Sequence, residues 1–274
     1  MRISRLERGV DYAILTLFAL FAIIPLVGVL FSAVTPPAQN TGSFALPTKL
    51  ALGNFGAAWD RGHFATYLTS SLLVTVVVVA LTTVLSVFAG FAFARLDFLG
   101  SGVLFFVMLA GLMLPAEAFV IPLYFNLRTV GLTDTYAALI LPQTAQSLAF
   151  GIFWLRNQFR SFPGEVVDAA RMDGARDVRI LWQVIVPPSL PSIVTMCVLV
   201  AMWTWNEFLL PLVLVVSEDK RTAPLGLAFF QGAHLTDYSL LAAAGIIVAL
   251  PIVVLYALFQ RRFLSGMLGG AWSR

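Results

Sequence analysis

The chain has 274 residues, of which 59% are hydrophobic and only 11% charged, against about 45–50% and about 25% in soluble domains. This excludes an ordinary soluble domain, and a formal net charge of +3 is too small to suggest nucleic acid. A single cysteine, Cys197, excludes an intrachain disulfide.

Long charge-free runs follow one another along the chain. The first, Ala13 to Val34, spans about 33 Å at a rise of about 1.5 Å per residue, enough to cross a hydrocarbon core of about 30 Å. MRISRLER precedes it, but the run is too long for a signal peptide and no small-x-small cleavage site follows, so a retained helix is expected. Thr35 to about Thr66 is polar and turn-rich and reads as the longest loop outside the membrane. The second span, Leu68 to Ala94, ends at Arg95 and Asp97; its Gly90, Ala92 and Ala94 favour close helix contact. The third, Gly102 to about Tyr124, contains Pro115, Glu117 and Pro122 and is expected to break or kink. The fourth, Tyr136 to Leu155, carries Pro142, Gln143 and Gln146.

A charged stretch then interrupts the apolar pattern: Glu165, Asp168, Arg171, Asp173, Arg176, Asp177 and Arg179. It must lie in water or against a soluble partner. Pro163 suits a first helical turn, with Ser161 near enough to cap it. Val166, Ala169 and Ala170 fall on one face, and Gly174 is a natural left-handed stop. Val178, Leu181, Trp182 and Ile185 then follow the spacing of a second amphipathic helix, halted by Pro187 and Pro188. The fifth span, Ile193 to Val216, holds Asn206, Glu207 and Pro211; a polar loop separates it from the sixth, Leu240 to Phe259.

The predicted fold class is therefore an all-α integral membrane protein with six transmembrane helices. An even count puts both termini on one side. Of the 17 Lys and Arg residues, only Lys49, Arg61, Arg128, Lys220 and Arg221 fall on the other side. The rule that positive loops stay inside then places both termini and the charged stretch in the cytoplasm.

The spacing Asp168-Ala169-Ala170, three residues, Gly174, nine residues, Val184-Ile185-Val186-Pro187 resembles the EAA signature, E-A-A-x3-G-x9-I-x-L-P, of permease subunits of bacterial ABC importers. Asp168 replaces the Glu, and Val184 and Val186 replace the Ile and Leu. AGFAFARLDFLG (89–100), WNEFLLPLVL (205–214) and QRRFLSGMLGGA (260–271) resemble the maltose-permease-like, carbohydrate-uptake branch.

That resemblance implies a fold in which the loop between helices 4 and 5 forms a coupling helix docked on a cytoplasmic ATPase. The coupling residues would be Glu165, Asp168, Ala169, Ala170, Asp173, Gly174 and Pro187. It implies domains at 1–66 (N-terminus, first helix and periplasmic loop), 67–262 (permease domain) and 263–274 (cytoplasmic tail), in a bacterial inner membrane. Partners would be an ATPase dimer carrying ATP and Mg, a second permease, and an extracytoplasmic solute-binding protein; this chain would have no catalytic residues, cofactor or metal of its own. Consistent with that, no G-x-x-x-x-G-K-[ST] phosphate loop occurs.

A carboxylate at mid-bilayer costs about 2.5–3.5 kcal/mol on insertion scales, so Glu117 and Glu207 are expected to face a wet interior. With Gln143, Gln146, Trp203, Trp205 and Asn206 they are candidates for a sugar pathway, which needs planar polar groups and aromatic faces. The plain alternative is that they tie helices together. An ion-coupled transporter using the two carboxylates and a membrane enzyme are the rival classes. The second lacks support, since His63 and His234 fall in outer loops without a ligand set.

Overall fold

The computed structural model describes residues 5–40, 42, 47–231 and 236–268, with side chains from 8 to 260 within these ranges. His234 and residues 269–274 of the tail lie outside what is described. The described elements are helices joined by short turns. Helices α1 (Arg5–Val34), α2 (Gly53–Arg61) and α3 (Phe64–Arg95) come first, followed by α4 (Ser101–Leu112), α5 (Val120–Thr129) and α6 (Tyr136–Arg160). Next are α7 (Gly164–Met172), α8 (Asp177–Ile180), a π turn at Leu181–Ile185, and α9 (Val186–Asn206). Finally come α10 (Leu209–Leu214), α11 (Ala223–Gly226) and α12 (Tyr238–Leu268). Among the described residues five helices are long and apolar enough to cross a membrane, and α4 with the segment Ala116–Thr129, bent by 94°, makes a sixth when the pair is counted as one span.

The chain forms two compact units. One joins Met1–Ala65 with Gly226–Leu250. Here the loop expected to be irregular contains α2, and Asn54 on it is buried, its amide donating to the carbonyls of Ala33 and Thr35 at 2.8 Å each. Those carbonyls are left open by the end of α1, so Asn54 is the cap that fixes the chain's exit from the first span. The apolar side chains of α1, Leu15, Phe18 and Phe21 among them, are exposed, as a lipid-facing helix requires.

The other unit comprises Thr66–Leu225 and Pro251–Arg274. Its core is the packing of α3, α6 and α9, where Val74, Val78, Leu139, Leu155, Met196 and Val200 are buried. Contact is closest where residues are small. A Cβ on Gly151 would lie 2.2 Å from Ser86 Oγ, and one on Gly90 would lie 3.1 Å from Leu155 Cβ. Polar links add direction: Trp154 Nε1 donates to the Ser192 carbonyl at 3.0 Å, and Thr83 pairs with Cys197 at 3.1 Å.

Three expectations are corrected. Pro187 and Pro188 do not halt a helix, because α8, the π turn and α9 run on as one span, Asp177–Asn206. Two successive prolines remove two amide donors and crowd the carbonyls one turn back, at Gln183 and Val184; the wider π turn falls on those residues and relieves the clash. Ser161 does not cap α7: Pro163 stands at that position, and the Ser161 hydroxyl turns back to the Gln158 carbonyl at 2.7 Å. The fifth span is not continuous to Val216, since α9 stops at Asn206 and Glu207 is extended (φ −66°, ψ 122°). The third span breaks as expected, at Met113–Pro115 rather than at Pro122, which sits in the first turn of α5 where its missing N–H costs nothing.

Where α6 begins, α5 and α10 pack together. Asp134 is left-handed there (φ 58°) and accepts from the amides of Val216 at 3.0 Å and Ser217 at 2.9 Å and from the Ser217 hydroxyl. The hydroxyl bond, with the two amides, holds its carboxyl below the usual carboxylate range. A depressed folded pKa adds stability above the unfolded value of about 3.9 that is lost as pH falls through the lower folded one. Asp134→Asn should therefore lower the thermal midpoint at pH 7, and the difference from wild type should shrink as thermal scans move below about pH 4. A constant difference from pH 7 to pH 3 would refute the assignment.

Candidate functional site

The charged stretch folds as a helix, a sharp turn and a second helix at the far end of α6. Gly174 has φ +78°, its N–H bonds the Arg171 carbonyl at 2.9 Å, and the Ala175 N–H bonds the Ala170 carbonyl at 3.0 Å. These are the two bonds of a Schellman motif, with Ala170 three residues inside the helix end and Gly174 just past it. Ala170 and Ala175, the two ends of the longer bond, both pack against the core. The Ala-to-Gly spacing seen in the sequence is thus what a six-to-one bond requires.

The buried register of α7 differs from the expected one. Val167 is 3% exposed and Ala170 half-buried, whereas Val166 is 44% exposed and Ala169 is exposed too. Beyond the turn, Ile180, Leu181 and Ile185 are buried, and Val178 and Trp182 are exposed. Glu165, Asp168, Asp173 and Pro187 are exposed. Asp168 lies 3.9 Å from Arg171, which also reaches Asp177 at 3.5 Å. These exposed pairs add little stability. The outcome is an apolar and acidic face, Val166, Ala169, Met172 and Asp173, left open beside a tightly fastened inner face.

Along the spans, two cavities of 340 and 680 Å³ both take Gln146 and Glu207 into their lining. Glu117, at the bend between α4 and α5, completes the first, and Phe150, Trp203 and Asn206 line the second. Trp203 meets Phe150 edge-on at 4.7 Å between ring centres. Glu207 accepts from the Leu210 amide at 3.0 Å, capping the short α10, so it has a structural task as well as a place in both cavities. Asn206 donates to the Met202 carbonyl at 2.7 Å. The Glu117 carboxylate has no hydrogen bond or ion pair among the described residues, although its backbone carbonyl accepts from the Val120 amide. Gln143 and Trp205 line neither of these cavities. Gln143 is buried, its amide on the Leu139 carbonyl, and Trp205 borders a separate apolar cavity of 550 Å³ with Cys197 and Pro251. Carboxylate, amide and exposed indole form a lining suited to hydroxyl-rich solutes, and the described residues include no cluster fit to hold a metal.

Residues 82–268 match the family described as binding-protein-dependent transport system inner membrane component. The chain belongs to that family. The diacetylchitobiose uptake system permease protein of Streptomyces coelicolor is 32% identical over 96% of this chain and 88% of its own length. The trehalose transport system permease protein of Mycobacterium tuberculosis is 32% identical over 97% of this chain and 98% of its own. Among solved structures, a chain of a bacterial ABC transporter involved in import of the acidic polysaccharide alginate superposes with a TM-score of 0.82, at 25% identity, over 96% of this chain and 99% of that one. The protein is thus a multi-pass inner membrane transport component. The family match contains α7 and both cavities and leaves α1 and α2 outside.

Two groups of this transport component escaped sequence reasoning. Arg95 and Arg156 counted only as inside charges, yet both are tied to backbone carbonyls, and Asp134 was assigned no role from the sequence. The available sign of a tight turn was the residue types Gly131 and Asp134, which tolerate the left-handed backbone that both adopt here.

Proposed function

We propose that this chain is one membrane-spanning permease subunit of an importer for a neutral or modified carbohydrate, driven by ATP hydrolysis on a separate ATPase. The reading rests on one juxtaposition: the helices that line the cavities, α6 and α9, are the same helices from whose ends the α7 turn projects an open face. The relatives' uptake of diacetylchitobiose and trehalose supports a carbohydrate rather than another solute. In this reading α7 is the coupling helix, with Asp168, Ala169 and Ala170 in its body and Gly174 setting its angle. Both termini are cytoplasmic, the ATPase dimer carries the ATP and Mg, a second permease closes the pathway, and an extracytoplasmic binding protein delivers the sugar. This subunit supplies Glu117, Gln146, Trp203, Asn206 and Glu207 to the pathway.

The test is gentle purification of the tagged chain, identification of its companions, and reconstitution into vesicles with a panel of radiolabelled di- and oligosaccharides. An ATPase and a second permease should co-purify, and uptake should need MgATP on the α7 side. Uptake that persists without ATP and collapses with a protonophore would instead establish an ion-coupled carrier.

A further inference from the structure

The joint between α6 and α7 is held by a residue from a third helix. Arg95, the last residue of α3, donates through one terminal nitrogen, Nη2, to the Phe159 carbonyl at 2.7 Å and to the Phe162 carbonyl. The first of these carbonyls lies in the final turn of α6, where intrahelical donors run out. The second precedes Pro163, whose ring fixes φ at −57°, and α7 begins at the next residue. The buried Nε of Arg95 has no partner, so these two carbonyls are its hydrogen-bond partners among the described residues.

A reciprocal bond runs the other way. Arg156, on α6, donates Nε to the Phe93 carbonyl of α3 at 3.3 Å, and its guanidinium lies 3.9 Å above the Phe105 ring of α4. Gly90 leaves no slack between the two backbones, since an added Cβ would stand 3.3 Å from the Arg156 nitrogen. The ends of α3 and α6 are thus cross-tied at two points, and the outer of these grips the chain two residues before α7.

We infer that Arg95 is a positioning residue for energy coupling: it makes the end of α3, the end of α6 and the start of α7 move as one body, so that displacement of α7 reaches the cavity helices instead of being absorbed at the joint. This rests on α7 being the helix that an ATPase moves. Without Arg95 the joint would keep Pro163 but lose its anchor, and α7 could swing while α6 stays still.

The experiment uses the whole complex with Cys197→Ser and spin labels on cysteines placed at Leu99 and Met172, both exposed. In the parent, the label-to-label distance distribution should be single and narrow with and without MgATP. In Arg95→Leu it should broaden. ATP consumed per sugar imported should rise at least tenfold, with hydrolysis itself within about threefold of the parent, and Arg95→Lys, which keeps a charged donor, should recover part of the loss. A merely structural role would lower complex yield, hydrolysis and uptake in the same proportion. That result, or a distribution in Arg95→Leu as narrow as the parent's, overturns the inference. If no sugar in the panel is imported by the parent, the carbohydrate reading fails, while the distance measurement still decides the role of Arg95.

Discussion

Gly174→Val is expected to reduce uptake at least tenfold while leaving the amount of membrane-inserted protein unchanged. A Cβ at position 174 meets no heavy atom within 4 Å, so the loss does not come from a clash of that atom. It comes from the left-handed backbone (φ +78°), which costs an ordinary L-residue about 1–2 kcal/mol, and a β-branched one is a genuine outlier there. The chain escapes that strain by unwinding the turn, which gives up the bonds from Gly174 and Ala175 and with them the angle between α7 and α8. Asn tolerates the left-handed region, so Gly174→Asn should transport at close to the wild-type rate. Uptake assays on the pair, normalised to membrane-inserted protein, check the expectation. Equal uptake by the Val and Asn variants would show that the turn's geometry does not matter for transport.

The largest effect on stability is expected from Gly151. Its Cβ would sit 2.2 Å from Ser86 Oγ, 3.0 Å from Ser86 Cβ and 3.2 Å from Met196 Sδ; Ser86 is fully buried, and rotating its hydroxyl would leave the Cβ contact in place. Overpacking typically costs about 1–3 kcal/mol and occasionally more, and here three spans would have to part to relieve it. Gly151→Val should therefore yield little folded protein after detergent extraction, and even Gly151→Ala should lower the thermal midpoint clearly. Because the Ser86 hydroxyl has no hydrogen-bond partner among the described residues, Ser86→Gly removes the obstacle without breaking a bond, at the roughly 0.5–1 kcal/mol that glycine costs in a helix. The double variant Ser86→Gly, Gly151→Ala should then be about as stable as Ser86→Gly alone. If the alanine is equally harmful in both backgrounds, the contact is not the cause.

Much of the fold was legible because lipid imposes one dominant rule: a spanning segment must be apolar and satisfy its own backbone. The charge-free runs therefore marked the spans to within a few residues except the fifth, expected over Ile193 to Val216 and found over Asp177–Asn206, and the break near Pro115 followed from proline chemistry. Gly174 was legible because a left-handed residue after an amphipathic turn has few substitutes. The register of α7 was not, since Val166 and Val167 are equally apolar and only packing decides which turns inward. Pro187 and Pro188 misled because their penalty is local, and a single wider turn absorbs it. The cavity residues were found by polarity, which cannot tell Gln146, facing a cavity, from Gln143, one turn away and bonded to its own helix. Arg95 and Arg156 were read as charges, whereas the structure uses them as donors to open carbonyls on neighbouring helices.

The unbroken course of α8, the π turn and α9 has a mechanical consequence. Asp177 and Asn206 are the ends of one rod, which at about 1.5 Å per residue is about 45 Å long. Pivoting it by only about 5° at the Asp177 end carries Trp203 and Asn206 through roughly 4 Å over that length. Apolar contacts are lost beyond about 4.0–4.5 Å. A swing too small to disturb the packing around Ile180 is therefore enough to unmake the Trp203 side of the larger cavity.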